Sequence, residues 1–428
     1  MRTDKQWEGM RMPEAINLAD NMERRLPAEL VNFMPAAGRA AQSRGQSLYL
    51  VGGVVRDLLL GRTNLDLDLV VEGDAIALAS ELAGSKRARI VTHPRFGTAK
   101  LQWQEWSVDL ATARSETYSK PGALPTVQPG TIDSDLARRD FTINAMAVKL
   151  TPAGYGELLD PHGGRDDLKH KLVRVLHEKS FIDDATRIWR GLRYEQRLDF
   201  QLEPSTLKLL KRDTAMLATV SGDRIRHELE LALKEELPEK ILRRADELGA
   251  LARVHPALKA DGWLSEKFPQ ARQLSSPGSP PLALYLALLA YPLSGEESEQ
   301  LIPYLRLPKT LAQTLRDTAG IKAGLKALSA PDLTPSGIYS LLNGYGSVAL
   351  TASLIASDSP AAKERIHFYL NNLRYVKPAL SGADLKRMGV TQGPRIREAL
   401  NMLREARLDG RVSSKRDEEE MVRGWGGI

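Results

Sequence analysis

The chain contains no cysteine. A disulfide framework and a thiolate metal site are therefore excluded, and the composition fits a reducing cytoplasm. It also lacks a long apolar run. The most apolar stretch, Pro281 to Leu293, falls short of the roughly 20 residues a helix needs to cross a bilayer, so no membrane partner is expected. The opening residues, MRTDKQWEGMRMPEAINLADNMERR, have no apolar centre of the secretory kind. They read as a loose, charged extension over residues 1–25. There is no repeat of fixed period, no low-complexity tract and no HxxxH-like metal spacing. What remains is a chain of 428 residues, 42% hydrophobic, with a formal charge of +6. That length predicts roughly two to four domains with ordinary cores. The mild basic excess suits a polyanionic partner without requiring one.

The most informative stretch runs from Leu48 to Val71, LYLVGGVVRDLLLGRTNLDLDLVV. Leu48 to Val51 has the length and composition of a strand, and Val54 to Gly61 reads as a brief helix. Between them, Gly52 and Gly53 remove Cβ atoms where a backbone must come close to something, as phosphate-cradling turns do. The alternation of Leu65 to Val71 puts Asp66 and Asp68 on one side of a second strand. Two adjacent carboxylates repel unless a divalent cation sits between them. A surface strand with solvated acids would also match DxD alone. The glycine turn directly upstream favours nucleotidyl transfer instead.

Further along, Gly73 to Leu82 reads as a helix capped by Asp74, and short strands are expected at 89–91, 98–101 and 106–110. Asp109, on the last of these, is either a third carboxylate of the cluster or a surface acid. Arg114 to Asp135, with its prolines and glycines, reads as an irregular loop. In Arg138-Arg139-Asp140-Phe141-Thr142-Ile143-Asn144-Ala145-Met146 the guanidiniums suit triphosphate oxygens, and Asp140 and Asn144 suit sugar hydroxyls. From Ser180 onward the pattern is almost wholly helical, with breaks near 275–281 and 331–335.

Asp183-Asp184-Ala185-Thr186-Arg187-Ile188-Trp189-Arg190-Gly191-Leu192-Arg193-Tyr194 is expected to be helical, with Asp184, Arg187 and Arg190 on one polar face and Ile188 and Leu192 buried. An intrahelical salt-bridge ladder would give this pattern. So would a base reader. An ionised Asp only accepts and an Arg only donates. Such a pair matches cytosine and adenine, each with an amino donor beside a bare ring nitrogen. Uracil and guanine present the reverse order and would leave buried groups unpaired. Discrimination in a dry pocket would be on the order of 10⁴ or more.

Taken together, GGVVRDLLLG with its DxD, RRDFTINAM, DDATRIWRGLRY, SGDRIRHEL and LSGADL…MGVTQGPRIREAL resemble, in order, the motifs of the class II tRNA nucleotidyltransferases and bacterial poly(A) polymerases. The resemblance spans most of the chain, from Leu48 to Gly410. It implies an α+β protein with a small palm-like head, a mixed sheet with helices, followed by an all-α neck, body and tail. The corresponding boundaries are 26–150, 151–240, 241–333 and 334–428. It implies that Asp66 and Asp68, with Asp109, hold two Mg²⁺ ions. Gly52, Gly53, Arg56 and Arg139 would grip the triphosphate. Asp184 and Arg187 would read the base, Arg190 and Arg193 would support the pocket, and Asp183 would orient the pair. The family usually has Glu at Asp183, whose shorter stem changes the reach, and Phe at Tyr194. The loop at 114–135 would help the site change between nucleotides, and Arg226 and Glu228 would brace the base-reading helix. Lys386, Arg387, Arg395 and Arg397, beside a Gly-Pro helix start, would hold tRNA backbone. CTP and ATP would be the substrates, and the product the CCA end of tRNA. An enzyme adding only CC or only A, a poly(A) polymerase, and a catalytically silent RNA-binding protein are the alternatives.

Overall fold

The computed structural model describes residues 16–425. They form two compact units. The first holds the described residues up to Ser221 together with Leu248–Arg253, and the second holds Gly222–Glu247 and the described residues from Val254.

Eleven strands lie in the first unit: β1 (Ser47–Val51), β2 (Leu67–Glu72), β3 (Arg89–His93), β4 (Thr98–Trp103), β5 (Trp106–Thr112), β6 (Arg114–Thr117), β7 (Thr126–Pro129), β8 (Ala147–Lys149), β9 (Leu158–Leu159), and the separate parallel pair β10 (Leu172–Val173) and β11 (Gln201–Leu202). A seven-stranded sheet runs β3-β4-β5-β2-β1-β8-β9. It is mixed: β2 and β5 are parallel, whereas β1 lies antiparallel to β2 and to β8. The central strands are buried on both faces, which explains why SLYLV and LDLVV read as nearly continuous apolar runs. The helices Ala28–Ser43 and Ala75–Lys86 pack together on the sheet. Asp74 caps the second of these by accepting from the amides of Ile76 and Ala77. Tyr49, Val51 and Val70 form a core with Ile132 and Leu136 of the helix Ile132–Ala137. Asp68 alternates in phase with Val70, so it shares that face of the sheet.

The structure departs from the sequence expectations in three places here. Residues 1–15 lie outside the described residues, but Ile16 to Arg25 is not loose. A helix, Ala19–Arg25, buries Met22 together with the flanking Leu18 and Leu26, and Asn17 pairs with Glu157. The stretch 114–135 is not irregular throughout. β6 and β7 form an antiparallel ribbon from Arg114↔Pro129 to Thr117↔Thr126, with Pro129 at its end, where a missing amide costs nothing. The head sheet also continues past residue 150, because β9 pairs with β8.

The helices Ser180–Asp183, Thr186–Leu198 and Pro204–Asp213 belong to the first unit. The second unit is helical from Gly222 onward. The residues expected as neck are therefore divided between the units, and those expected as body and tail fall in the second apart from Leu248–Arg253. Ile321, Leu342, Leu350 and Ile366 sit in one of its cores, and Leu380, Leu385, Leu403 and Val422 in another. The apolar stretch after Pro281 is the helix Leu282–Ala290, buried from Leu284 to Ala290. Among the described residues no single helix is long and apolar enough to cross a membrane. Arg226 was expected to brace the helix Thr186–Leu198. Its guanidinium is spent on the carbonyls of Leu305 and Arg306 and on Glu230.

Gly38 shows how closely the Ala28–Ser43 helix is seated on the chain leaving β8. A Cβ there would lie 1.9 Å from the carbonyl oxygen of Leu150. Gly38→Ala should cost about 1–3 kcal/mol, read as a lower midpoint in chemical denaturation; an unchanged midpoint would contradict this packing.

Candidate active site

The turn after β1 places its two glycines against charged groups. Gly52 has φ +76, and a Cβ on it would lie 3.2 Å from Arg139 Nη1 and 3.5 Å from Asp68 Oδ2. Only glycine accepts both that backbone and that proximity. The following helix, Gly53–Leu59, buries its own Arg56, 2% exposed. Arg56 donates twice to Asp57 at 2.9 Å and once to Asn144 Oδ1 at 2.7 Å. Asn64 donates to Asp57 at 2.7 Å and accepts from the amide of Asp66 at 3.0 Å. Asp66 thus lies just before β2 rather than on it, held by Asn64, while Asp68 is on the strand.

Parallel pairing of β2 with β5 sets Asp68 beside Asp109. Ligand oxygens of Asp66, Asp68 and Asp109 all lie within 4.8 Å of one another. The structure therefore brings the three candidate acids together. Burial and the neighbouring Asp66 push the Asp68 carboxyl up to about 6, against the pull of Arg139. Three hard oxygen donors at this spacing suit a divalent cation such as Mg²⁺, which takes carboxylate oxygens.

Asp140 joins this region to the helix Thr186–Leu198. Its Oδ1 accepts from the Phe141 amide at 2.8 Å and from Asn144 at 3.0 Å. Its Oδ2 accepts from Arg190 Nε at 2.8 Å and pairs with Arg190 Nη2 at 2.6 Å. Burial alone would raise its pKa. Arg190 and the Asn144 amide outweigh burial and hold the group down to about 2. Asp140 and Asn144 were expected to meet a sugar. In the structure both Asp140 oxygens and the Asn144 carbonyl oxygen are engaged inside the protein. Arg139, expected to face phosphate, is paired with the fully buried Asp135 at 2.9 Å. Arg138 is held by Asp135 and Glu116.

Asp184 and Arg187 do not share a helix. The chain breaks at Asp184, φ −140 and ψ 98, between Ser180–Asp183 and Thr186–Leu198. Asp184 Oδ1 accepts from the amide and hydroxyl of Thr186 at 3.0 and 2.7 Å. This local side-chain bond replaces a turn of helix. Arg187 is buried, donating to Ser180 Oγ at 2.8 Å and to the Arg138 carbonyl at 2.7 Å. Ile188 and Leu192 are fully buried, as their spacing suggests. Arg193 and Arg190 both lie over the Tyr194 ring.

One cavity of about 670 Å³ collects most of these groups: Gly52, Gly53, Asp66 and Asp68 line it together with Arg139, Asp184, Arg187, Arg190 and Arg193. Arg56, Asp140 and Asn144 border it too. Asp109 and Asp183 are not among its lining residues. The Asp183 carboxylate lies 3.9 Å from His177 Nε2. Asn64, Glu116, Tyr118 and Pro125 also line the cavity and were not anticipated. Asn64 was visible in the turn before the DxD. The others sit on the ribbon or beside it. In the second unit, Gly393 starts the helix Pro394–Leu408 with φ 110. Arg395 there pairs with Glu398 at 3.5 Å and lies over Trp425. Arg387 pairs with Asp384.

Comparison with known proteins agrees with this geometry. Residues 48–174 match the family described as the poly A polymerase head domain, and residues 199–261 the probable RNA and SrmB-binding site of polymerase A. The A-adding tRNA nucleotidyltransferase of Geobacter sulfurreducens is 34% identical over 96% of this chain, which spans 48% of that longer protein. The A-adding tRNA nucleotidyltransferase of Halalkalibacterium halodurans is 33% identical, with 95% of each chain covered. The Thermotoga maritima CCA-adding enzyme, solved in complex with tRNA, superposes with a TM-score of 0.76 at 30% identity, covering 96% of this chain and 99% of that one. The head and its acids are of the nucleotidyltransferase class. The chain belongs to the class II tRNA nucleotidyltransferase family, which includes the bacterial poly(A) polymerases.

The raised Asp68 carboxyl has a consequence for stability. It titrates near 3.8 when unfolded and near about 6 when folded. Between those values the folded form binds more protons, so the stability it contributes is lost as pH rises through that window. Asp68→Asn should raise the unfolding midpoint of EDTA-treated protein at pH 7 by the equivalent of roughly 1–3 kcal/mol, with little gain at pH 4. Equal midpoints at pH 7 would contradict it.

Proposed function

We propose that this chain transfers nucleoside monophosphates to the 3′ end of tRNA, building or repairing CCA from CTP and ATP without a nucleic-acid template. The supporting observation is the single cavity with paired acids at one place and Asp184 with Arg187 at another. In the reaction the terminal hydroxyl oxygen attacks the α-phosphorus, the bond to pyrophosphate breaks, and the hydroxyl proton leaves. Asp66, Asp68 and Asp109 would hold Mg²⁺, which when bound supplies charge neutralisation and a more acidic hydroxyl. Gly52 and Gly53 leave room for the triphosphate, and Arg139 faces it. Arg56, Asp140 and Asn144 act by position, tying the glycine turn to Arg190. Arg193 and Arg190 wall the pocket around Tyr194, and Asp183 sets the break that presents Asp184. Asp184 accepts the amino group of cytosine or adenine, and Arg187 donates to the adjoining ring nitrogen. Lys386, Arg387, Arg395 and Arg397 take tRNA phosphates. The work of such an enzyme places it in the cytoplasm.

A second reading is favoured by the names of the relatives. Both curated relatives described above are A-adding enzymes, so the chain would add only the terminal A. CC-only addition and poly(A) synthesis share the same motifs, and intact acids speak against a silent RNA-binding protein.

Purified protein given tRNA ending at the discriminator base, at C or at CC, with labelled CTP or ATP, separates these readings on a gel. Extension of every substrate indicates full CCA addition. Extension of the CC-ending tRNA by one A alone indicates the second reading. Asp66→Ala should abolish addition. Asp184→Ala should admit UTP and GTP while pyrophosphate release survives, and unchanged exclusion of both would refute base reading by this pair.

A further inference from the structure

One cation at the acidic cluster has no part in the scheme above. The tight turn at Gln104 and Glu105 pairs Trp103 with Trp106, and the same register sets Lys100 of β4 opposite Asp109 of β5. The Lys100 ammonium lies 2.9 Å from Asp109 Oδ2, with the two side chains 41% and 40% exposed. Either can therefore swing away without opening the core. Lys100 is not among the residues lining the main cavity.

A monovalent ammonium and a divalent ion compete for the negative charge of one carboxylate, even where they use different lone pairs. A cation that draws on all three acids weakens the hold of Asp109 on Lys100, and it meets a like charge as it approaches. We propose that Lys100 is the resident counter-ion of the acidic cluster, which a divalent cation displaces from Asp109 on binding. This rests on reading Asp66, Asp68 and Asp109 as cation ligands. It follows that a bare cation binds weakly. A cation arriving with a triphosphate brings anionic oxygens that receive the displaced ammonium. The pair thus couples metal entry to nucleotide entry.

Mn²⁺ titration of the full chain, with free Mn²⁺ followed by electron paramagnetic resonance and no nucleotide present, tests this. Lys100→Met, and Lys100→Gln as a second variant, should bind Mn²⁺ roughly three- to thirty-fold more tightly than the parent. With Asp109→Asn in the background, most of that gain should vanish. A non-hydrolysable CTP analogue should narrow the difference between parent and variant. An unchanged or weaker affinity in both Lys100 variants would overturn the proposal. So would an equal gain with Asp109→Asn, which would indicate general charge repulsion alone. Asp68→Asn separates the two levels. If it weakens Mn²⁺ binding while the Lys100 variants change nothing, only the counter-ion idea fails. If it leaves Mn²⁺ binding intact, the cation site itself is wrong and the counter-ion idea falls with it.

Discussion

The buried carboxylate of Asp140 is the point from which the rest of the head is tied. It receives Asn144 and the Phe141 amide on one oxygen and Arg190 on the other. Through Asn144 it reaches Arg56, then Asp57, then Asn64, and finally the backbone of Asp66. Through Arg190 it reaches the helix that carries Arg187. A continuous series of hydrogen bonds, charge-assisted from Asn64 onward, therefore spans from the acidic cluster to the helix Thr186–Leu198. Such a network is costly unless every member is satisfied, and here the carboxylate is. The return is precision: the acids and Arg187 keep a set separation without substrate.

The same site carries deliberate tension. Asp66, Asp68 and Asp109 crowd together, and the strain appears as the raised pKa of Asp68. Arg139 offsets part of it from above the glycine turn, and Lys100 part of it from the neighbouring strand. Functional sites commonly hold such unfavourable charge where a ligand is to relieve it. A cation held there, as proposed, would relieve this repulsion.

Much of this was legible in the residues. The strand that carries Asp68 and the cap at Asp74 follow from local rules, and the structure reproduces both, with Asp66 just before the strand. The family resemblance rested on motif order, and the comparisons support it. What was not legible depended on partners remote in sequence. That Asp140 and Asn144 are bonded to Arg190 and Arg56 could not be read from their spacing. Asp184 looks helical because its spacing to Arg187 fits a helix, but its own carboxylate caps Thr186 and ends the preceding turn. The prolines of 114–135 concealed a ribbon because they stand at its ends and tip. Lys100 was readable in principle, since a two-residue turn between β4 and β5 dictates its partner.

The central claim is that the unbroken series from Asp66 through Asp140 to Arg190 holds the acids and the base reader in place while nucleotide binds. A crystal structure of the chain with Mn²⁺ and CTP or ATP, recorded at the manganese edge, tests it most directly. The account predicts anomalous peaks among Asp66, Asp68 and Asp109, the base amino edge against Asp184 and Arg187, and Asp140 still bonded to Asn144 and Arg190. Manganese bound elsewhere, a base ring facing solvent, or Asp140 released to the ribose would contradict it.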